Sequence, residues 1–233
     1  MTRTQATYLT SVRERIDEST ARFWTDVELR RWINEAARDI ARRSETLQNV
    51  DTVSAVAGTQ EYTLATDILR VHRAEFKPTG DSNVYPLEYM DYQAMDQLWF
   101  TAKQTARGTP RVFTLWGFVP TLTLLLYPTP DRAGTVTIYN FRLPVELTTT
   151  GSDAAVVVEV PEGWEDLVVE YVLYQGQLKD GNPNWQASKQ LYDEKLDAMY
   201  QMTRRWSDQA GMIVSDLGNT MVPRWIYDFD YGA

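Results

Sequence analysis

The sequence predicts an α+β protein. An N-terminal helix pair and two long C-terminal helices form one bundle, an antiparallel β-sandwich or barrel-like domain is inserted between them, and an extended tail follows. Three observations predict this. Apolar residues recur at helical spacing near both ends of the chain, they alternate with polar residues in the middle, and all periodicity stops after Gln209. The expected segments are 1–47 for the helix pair, 48–160 for the β domain with a short helix near 91–101, 161–208 for the C-terminal helices, and 209–233 for a docking tail.

The first helix is expected from about Gln5 to Asp17, with Tyr8, Leu9, Val12 and Ile16 on one face. The second is the most strongly specified element. Thr25 followed by Glu28 is a capping box, in which each side chain satisfies a backbone N–H at the helix start. Asp26 and Glu28 suit the positive end of the helix dipole, and Arg42 and Arg43 suit the negative end. Leu29, Trp32, Ile33, Ala36, Ala37, Ile40 and Ala41 lie at the spacing of one buried stripe.

After Glu45 the period becomes extended. Strands are expected at Val50–Val56, Glu61–Leu64, Leu69–Phe76 and Val84–Tyr89, separated by turn formers at Ala57–Gln60 and Pro78–Asn83. Asp91 can cap a short helix from Tyr92 to about Thr101, facing Met95, Leu98 and Trp99 inward. Arg111–Trp116, Thr121–Tyr127 and Thr135–Phe141 are three further strands. Val145 to Asp153 is expected as a mobile loop, and Ala154–Val160 as a last apolar strand. Pro161 then opens a helix whose stripe is Trp164, Leu167, Val168, Tyr171, Val172 and Leu178. Gly181–Asn184 turns the chain into the longest helix, about Pro183 to Ser207. Trp185, Tyr192, Met199 and Trp206 recur there every seven residues, holding one seam toward a partner.

Composition bounds the function. With 233 residues, 43% of them apolar, the chain has ample material for a core. No run is long enough to span a bilayer, and the N-terminus lacks the apolar core of a signal peptide. The absence of cysteine excludes disulfides and thiolate chemistry. A net charge of −9 disfavours gripping nucleic acid through its phosphates but suits a surface that DNA slides past.

The residues offer little chemistry. His72 is the only histidine, so no second histidine ligand exists and a structural role is favoured. Nucleotide-binding glycine loops and a Gly-x-Ser-x-Gly elbow are both missing. Glu159, Glu162, Glu165 and Asp166 read as electrostatic caps of a helix start rather than a glycosidase pair. Asp228–Gly232 matches half a calcium loop by chance. No enzyme, cofactor or metal is expected. Most tryptophans (Trp32, Trp164, Trp185, Trp206) sit on helical stripes, which leaves Trp99, Trp116 and Trp225 for an exposed role.

The stretch Trp24-Thr25-Asp26-x-Glu28-Leu29-x-x-Trp32-Ile33-Asn34-Glu35-Ala36 resembles the N-terminal helix of tailed-phage head-to-tail adaptor (connector) proteins. Ala57–Leu64, Leu69–Val71, Pro86–Tyr89 and Pro161–Trp164 follow the same plan in the same order, similar to tail tubular protein A-like adaptors, over roughly residues 1 to 205. The resemblance implies a structural protein of the virion neck, made in the host cytoplasm. It implies a closed ring of twelve subunits under the portal protein, joined below to a stopper, nozzle or tail protein. DNA would pass through the lumen without sequence-specific binding, and no membrane is involved. Helix packing is then expected from Leu29, Trp32, Ile33, Ala36, Ile40, Trp164, Tyr171, Trp185, Tyr192, Met199 and Trp206. A portal or neighbour contact is expected from Met212, Ile213, Val214, Trp225, Ile226, Tyr227, Phe229 and Tyr231, because a tail this aromatic is costly to leave in water. The alternative is a monomeric β-sandwich module that stacks glycans or other ligands on exposed aromatics.

Overall fold

A computed structural model describes residues 3–18, 23–99, 106–118 and 121–216, with backbone alone at 96–99 and 204–216. Helices α1 (Gln5–Arg15) and α2 (Asp26–Ser44) come first. Nine strands and a short helix follow: β1 (Gln48–Ala55), β2 (Glu61–Thr63), β3 (Ile68–Pro78), β4 (Tyr85–Tyr89), α3 (Tyr92–Trp99), β5 (Arg107–Gly108), β6 (Val112–Trp116), β7 (Thr123–Tyr127), β8 (Thr129–Pro130) and β9 (Gly134–Arg142). Helices α4 (Asp166–Asp180) and α5 (Trp185–Asp216) end the described chain.

The α+β class is as expected. The α2 capping box is formed in both directions between Thr25 and Glu28, and Leu29, Ile33, Ala36 and Ile40 are almost completely buried. They share one core with Tyr8 and Val12 of α1, Leu167, Val168 and Val172 of α4, and Tyr192, Leu196 and Met199 of α5. A second core lies inside the β domain, around Tyr62, Ala74, Phe76, Phe113, Leu124, Leu126, Val136 and Ile138.

Seven strands form one curled sheet in the order β1-β9-β3-β4-β6-β7-β2. Its two edge strands are consecutive in sequence and joined by residues 56–60, where the Tyr62 hydroxyl bonds the backbone of Val56 and Thr59. The result is barrel-like rather than a two-layer sandwich. Within this sheet all pairs but one are antiparallel, β4 running parallel to β6, and β5 and β8 form a separate parallel pair. Parallel neighbours need a crossover, and the connection carrying α3 supplies it.

Three expected boundaries differ. Ala154–Val160 is no strand. It crosses the start of α1, where Val156 and Ala154 carbonyls accept from the Gln5 and Ala6 amides at 3.1 and 3.0 Å, two donors that the helix itself leaves unpaired. The helix expected from Pro161 begins at Asp166, because Gly163 is left-handed (φ 89°) and interrupts the first turn. The last helix does not end near Ser207 but continues to Asp216, so Met212, Ile213 and Val214 lie on helical backbone rather than in an extended tail. Trp225, Ile226, Tyr227, Phe229 and Tyr231 lie outside the described residues.

Residues 145–153 are tied down rather than free. Leu147 is 6% exposed, and the side-chain amide of Asn34 donates to its carbonyl and accepts from its amide. Gln5, fully buried, donates to the Thr148 carbonyl at 3.1 Å and accepts from Arg30.

Gly134 opens β9 where the sheet is tightest. A β-carbon there would sit 2.6 Å from the Lys77 carbonyl and 2.6 Å from the Phe76 ring. Gly134→Ala is therefore expected to lower stability by about 1–3 kcal/mol, read as a shift of the urea unfolding midpoint.

Candidate functional site

The polar side chains of the bundle serve to fasten helices together. Glu170 of α4, almost fully buried, accepts from Arg15 of α1 at 2.9 Å and Lys195 of α5 at 3.1 Å, and Lys195 also donates to Asp166 at 2.6 Å. Burial works against the Lys195 ammonium, yet these two carboxylates hold its pKa above the ordinary lysine value. In the last turns of α2, Arg43 donates to Asp193 of α5 at 2.7 Å, and Asp39 accepts from the Tyr192 hydroxyl at 2.7 Å. Burial, reinforced by that carboxylate, pushes the Tyr192 phenol well above its usual range. Lys179 of α4 donates to Glu28 of α2, which draws the Glu28 pKa down. One capping residue thus also joins two helices.

The acidic cluster near residue 160 is engaged in the same way. Glu159 receives both Arg142 guanidinium nitrogens and the Val145 amide, spanning the junction of β domain and bundle. The hydrogen bond from Glu165's own backbone N–H, helped by the Gly163 amide at 3.0 Å, holds the Glu165 pKa below its ordinary value. Among the described residues no three His, Asp or Glu side chains gather as a metal site requires, and no helix is long and apolar enough to cross a membrane.

The Glu159 clamp carries a pH dependence. The Arg142 hydrogen bond, opposed by burial, holds the Glu159 pKa below its ordinary value of 4.5. A depressed folded-state pKa means stability that is complete above the unfolded value and is lost as pH falls through the folded one. Glu159→Gln is expected to cost about 1–2 kcal/mol at pH 7. It should also flatten the loss of stability between roughly pH 5 and pH 3. Urea melts at the two pH values check both statements.

Three surface features are candidates for binding. The first is a groove of about 260 Å³ on the bundle, walled by Val12 of α1 and Ile16 just after it, Trp24 just before α2 and Trp32 within it, and Val172 and Leu173 of α4. Gly176 lies at its floor, where a β-carbon would make ordinary contact with the Trp24 ring at 3.7 Å. The second is a wide depression on the outer face of β1, β9 and β3, lined by Val50, His72, Arg73, Tyr139 and Phe141. His72 points to solvent there, beside Phe141. The third is an aromatic group: Trp116 is 59% exposed and packs at a tilt on Tyr92, ring centroids 4.5 Å apart, with Phe118, 88% exposed, two residues further along the chain.

The expected packing residues fall as follows. Leu29, Ile33, Ala36, Ile40, Tyr171, Tyr192 and Met199 are buried in the bundle core, and Trp32 and Trp164 pack partly buried against it. Trp185 is half-buried at the start of α5. The side chain of Trp206 lies outside the described residues, as do those of Leu98 and Trp99. The roles of Gln5, Arg30 and Asn34 were not legible from residue spacing. Polar residues at helical positions read as solvent-facing until a distant backbone segment is placed against them.

Compared with known proteins, the chain matches a family model described as SU10 adaptor protein over residues 3–215. No curated protein matches it.

Proposed function

Because the chain belongs to the SU10 adaptor protein family, a phage head-to-tail adaptor family, we propose that it forms a closed ring beneath the portal, links capsid to tail and continues the DNA channel. The observation that carries this is the match itself, which spans the helix pair, the β domain and both C-terminal helices. A ring of twelve is the stoichiometry that the resemblance implies. The net charge of −9 supports a lumen that does not trap DNA, since like charge repels the phosphate backbone. The tail from Trp225 to Tyr231 is our candidate portal contact. The role is structural, without catalysis, and the protein sits at the neck of the virion.

Mass photometry of the chain alone and mixed with a candidate portal ring tests this reading. A discrete complex near twelve added subunits is expected. A monomer that ignores the portal would overturn it.

The exposed Trp116–Tyr92 stack favours one second reading, a monomeric module that binds glycans on the β domain. It requires a saturable change in tryptophan fluorescence with oligosaccharide, abolished by Trp116→Ala.

A further inference from the structure

We propose that the C-terminal half of α5, residues 200–216, is an assembly arm that seats in the α1/α2/α4 groove of a neighbouring copy. The proposal rests on the ring reading and names the contact that closes the ring.

Among the described residues, the arm extends beyond the contacts that α5 makes with α2 and α4. Helix α4 lies antiparallel to α5, with Ser188 bonded to Gln177 at 2.7 Å and Lys195 bonded to Asp166, the first residue of α4, at 2.6 Å. Helix α2 stops at Ser44, one residue after Arg43 meets Asp193. Both supports therefore run out near Met199. Leu196 and Met199 are each 1% exposed, whereas Met202 is 50% exposed. From there the helix continues to Asp216, roughly 25 Å at 1.5 Å per residue.

A solitary helix of this length is marginal in water, and Gly211 weakens it further. Its sequence nevertheless keeps the stripe. Tyr192, Leu196 and Met199, which pack in the bundle, are followed at the same three-four spacing by Thr203, Trp206, Ala210 and Ile213. A seam that continues past its own bundle is written for another surface.

The groove walled by Trp24, Trp32, Val172 and Leu173 has the apolar lining that such a stripe needs. Its rim carries Asp180, opposite in charge to the Arg204-Arg205 pair of the arm, and Arg15, whose charge is met by Glu170. The arm cannot reach the groove of its own chain. The groove lies beside Gln177, level with Ser188, while the arm starts about 18 Å further along a continuous helix and points away. Groove and arm are two different faces of one chain, as a closed heterologous ring requires.

The chain has no cysteine, so single-cysteine variants report one contact cleanly. Full-length Ala210→Cys and Leu173→Cys proteins are mixed, assembled on the portal ring, checked by mass photometry and oxidised. A product of twice the 26.8 kDa chain mass is expected in the mixture and in neither variant alone. Trp206→Ala is expected to lower ring yield at least tenfold while leaving the monomer's melting temperature unchanged. An assembled ring without the mixed product overturns the arm and leaves the adaptor reading standing. So does crosslinking of Ala210→Cys to the portal, or to a His72→Cys variant on the β face. Failure of any complex to form overturns both.

Discussion

Tyr192→Ala is expected to lower stability by about 3–5 kcal/mol, a large share of what a domain of this size possesses. Tyr192 is 1% exposed and lies where α2, α4 and α5 meet. Its ring meets Tyr171 edge-on at 5.4 Å and Tyr174 at a tilt at 5.9 Å, and its hydroxyl reaches Asp39. Truncation removes the ring contacts, leaves a cavity that three helices cannot close without moving, and strips Asp39 of one donor. Tyr192→Phe separates these contributions. It keeps the ring and is expected to cost only about 1 kcal/mol for the lost hydrogen bond. Urea unfolding followed by tryptophan fluorescence reads both. If the two variants lost the same stability, the hydroxyl and not the packing would hold the junction.

Phe76→Ala is the corresponding experiment in the β domain, with an expected loss of about 3–5 kcal/mol. Phe76 is fully buried in β3, opposite Val136 of β9 and Tyr85 of β4. It is also the ring that a side chain at Gly134 would strike. In a Phe76→Ala/Gly134→Ala double variant the two losses should therefore fall short of additivity by at least about 0.5 kcal/mol, because truncating Phe76 removes half of the clash. The remaining half, against the Lys77 carbonyl, is backbone and does not relax. Strict additivity would show that Phe76 moves aside unaided.

What could be read from residues alone followed how local the specifying interactions are. The start of α2 was legible because Thr25, Glu28 and the Leu29–Ile40 stripe all act within a few turns. The strands of the β domain were legible from alternation, which the sheet satisfies at β1, β3 and β9. The parallel β4–β6 pair was not, because pairing direction is decided by a crossover and not by the pattern within either strand. The apolar run at Ala154–Val160 misled for a related reason. Extended backbone needs partners, and here they are the free amides at the start of α1, some 150 residues earlier. The candidate site divides in the same way. The seam residues of α5 were visible as a heptad, whereas the groove became visible only when α1, α2 and α4 were brought together around Gly176.

The bundle's order along the chain has a consequence for synthesis. Helix α2 ends at Ser44, and the helix that completes its core does not begin until Asp166. At the usual ribosomal pace, Leu29, Ile33, Ala36 and Ile40 wait on the order of 6–24 s for their partners. The β domain emerges whole in that interval, and its core draws on neither helix pair. It is therefore the unit that can fold first, while the apolar face of α2 has only α1 to cover it until α4 arrives.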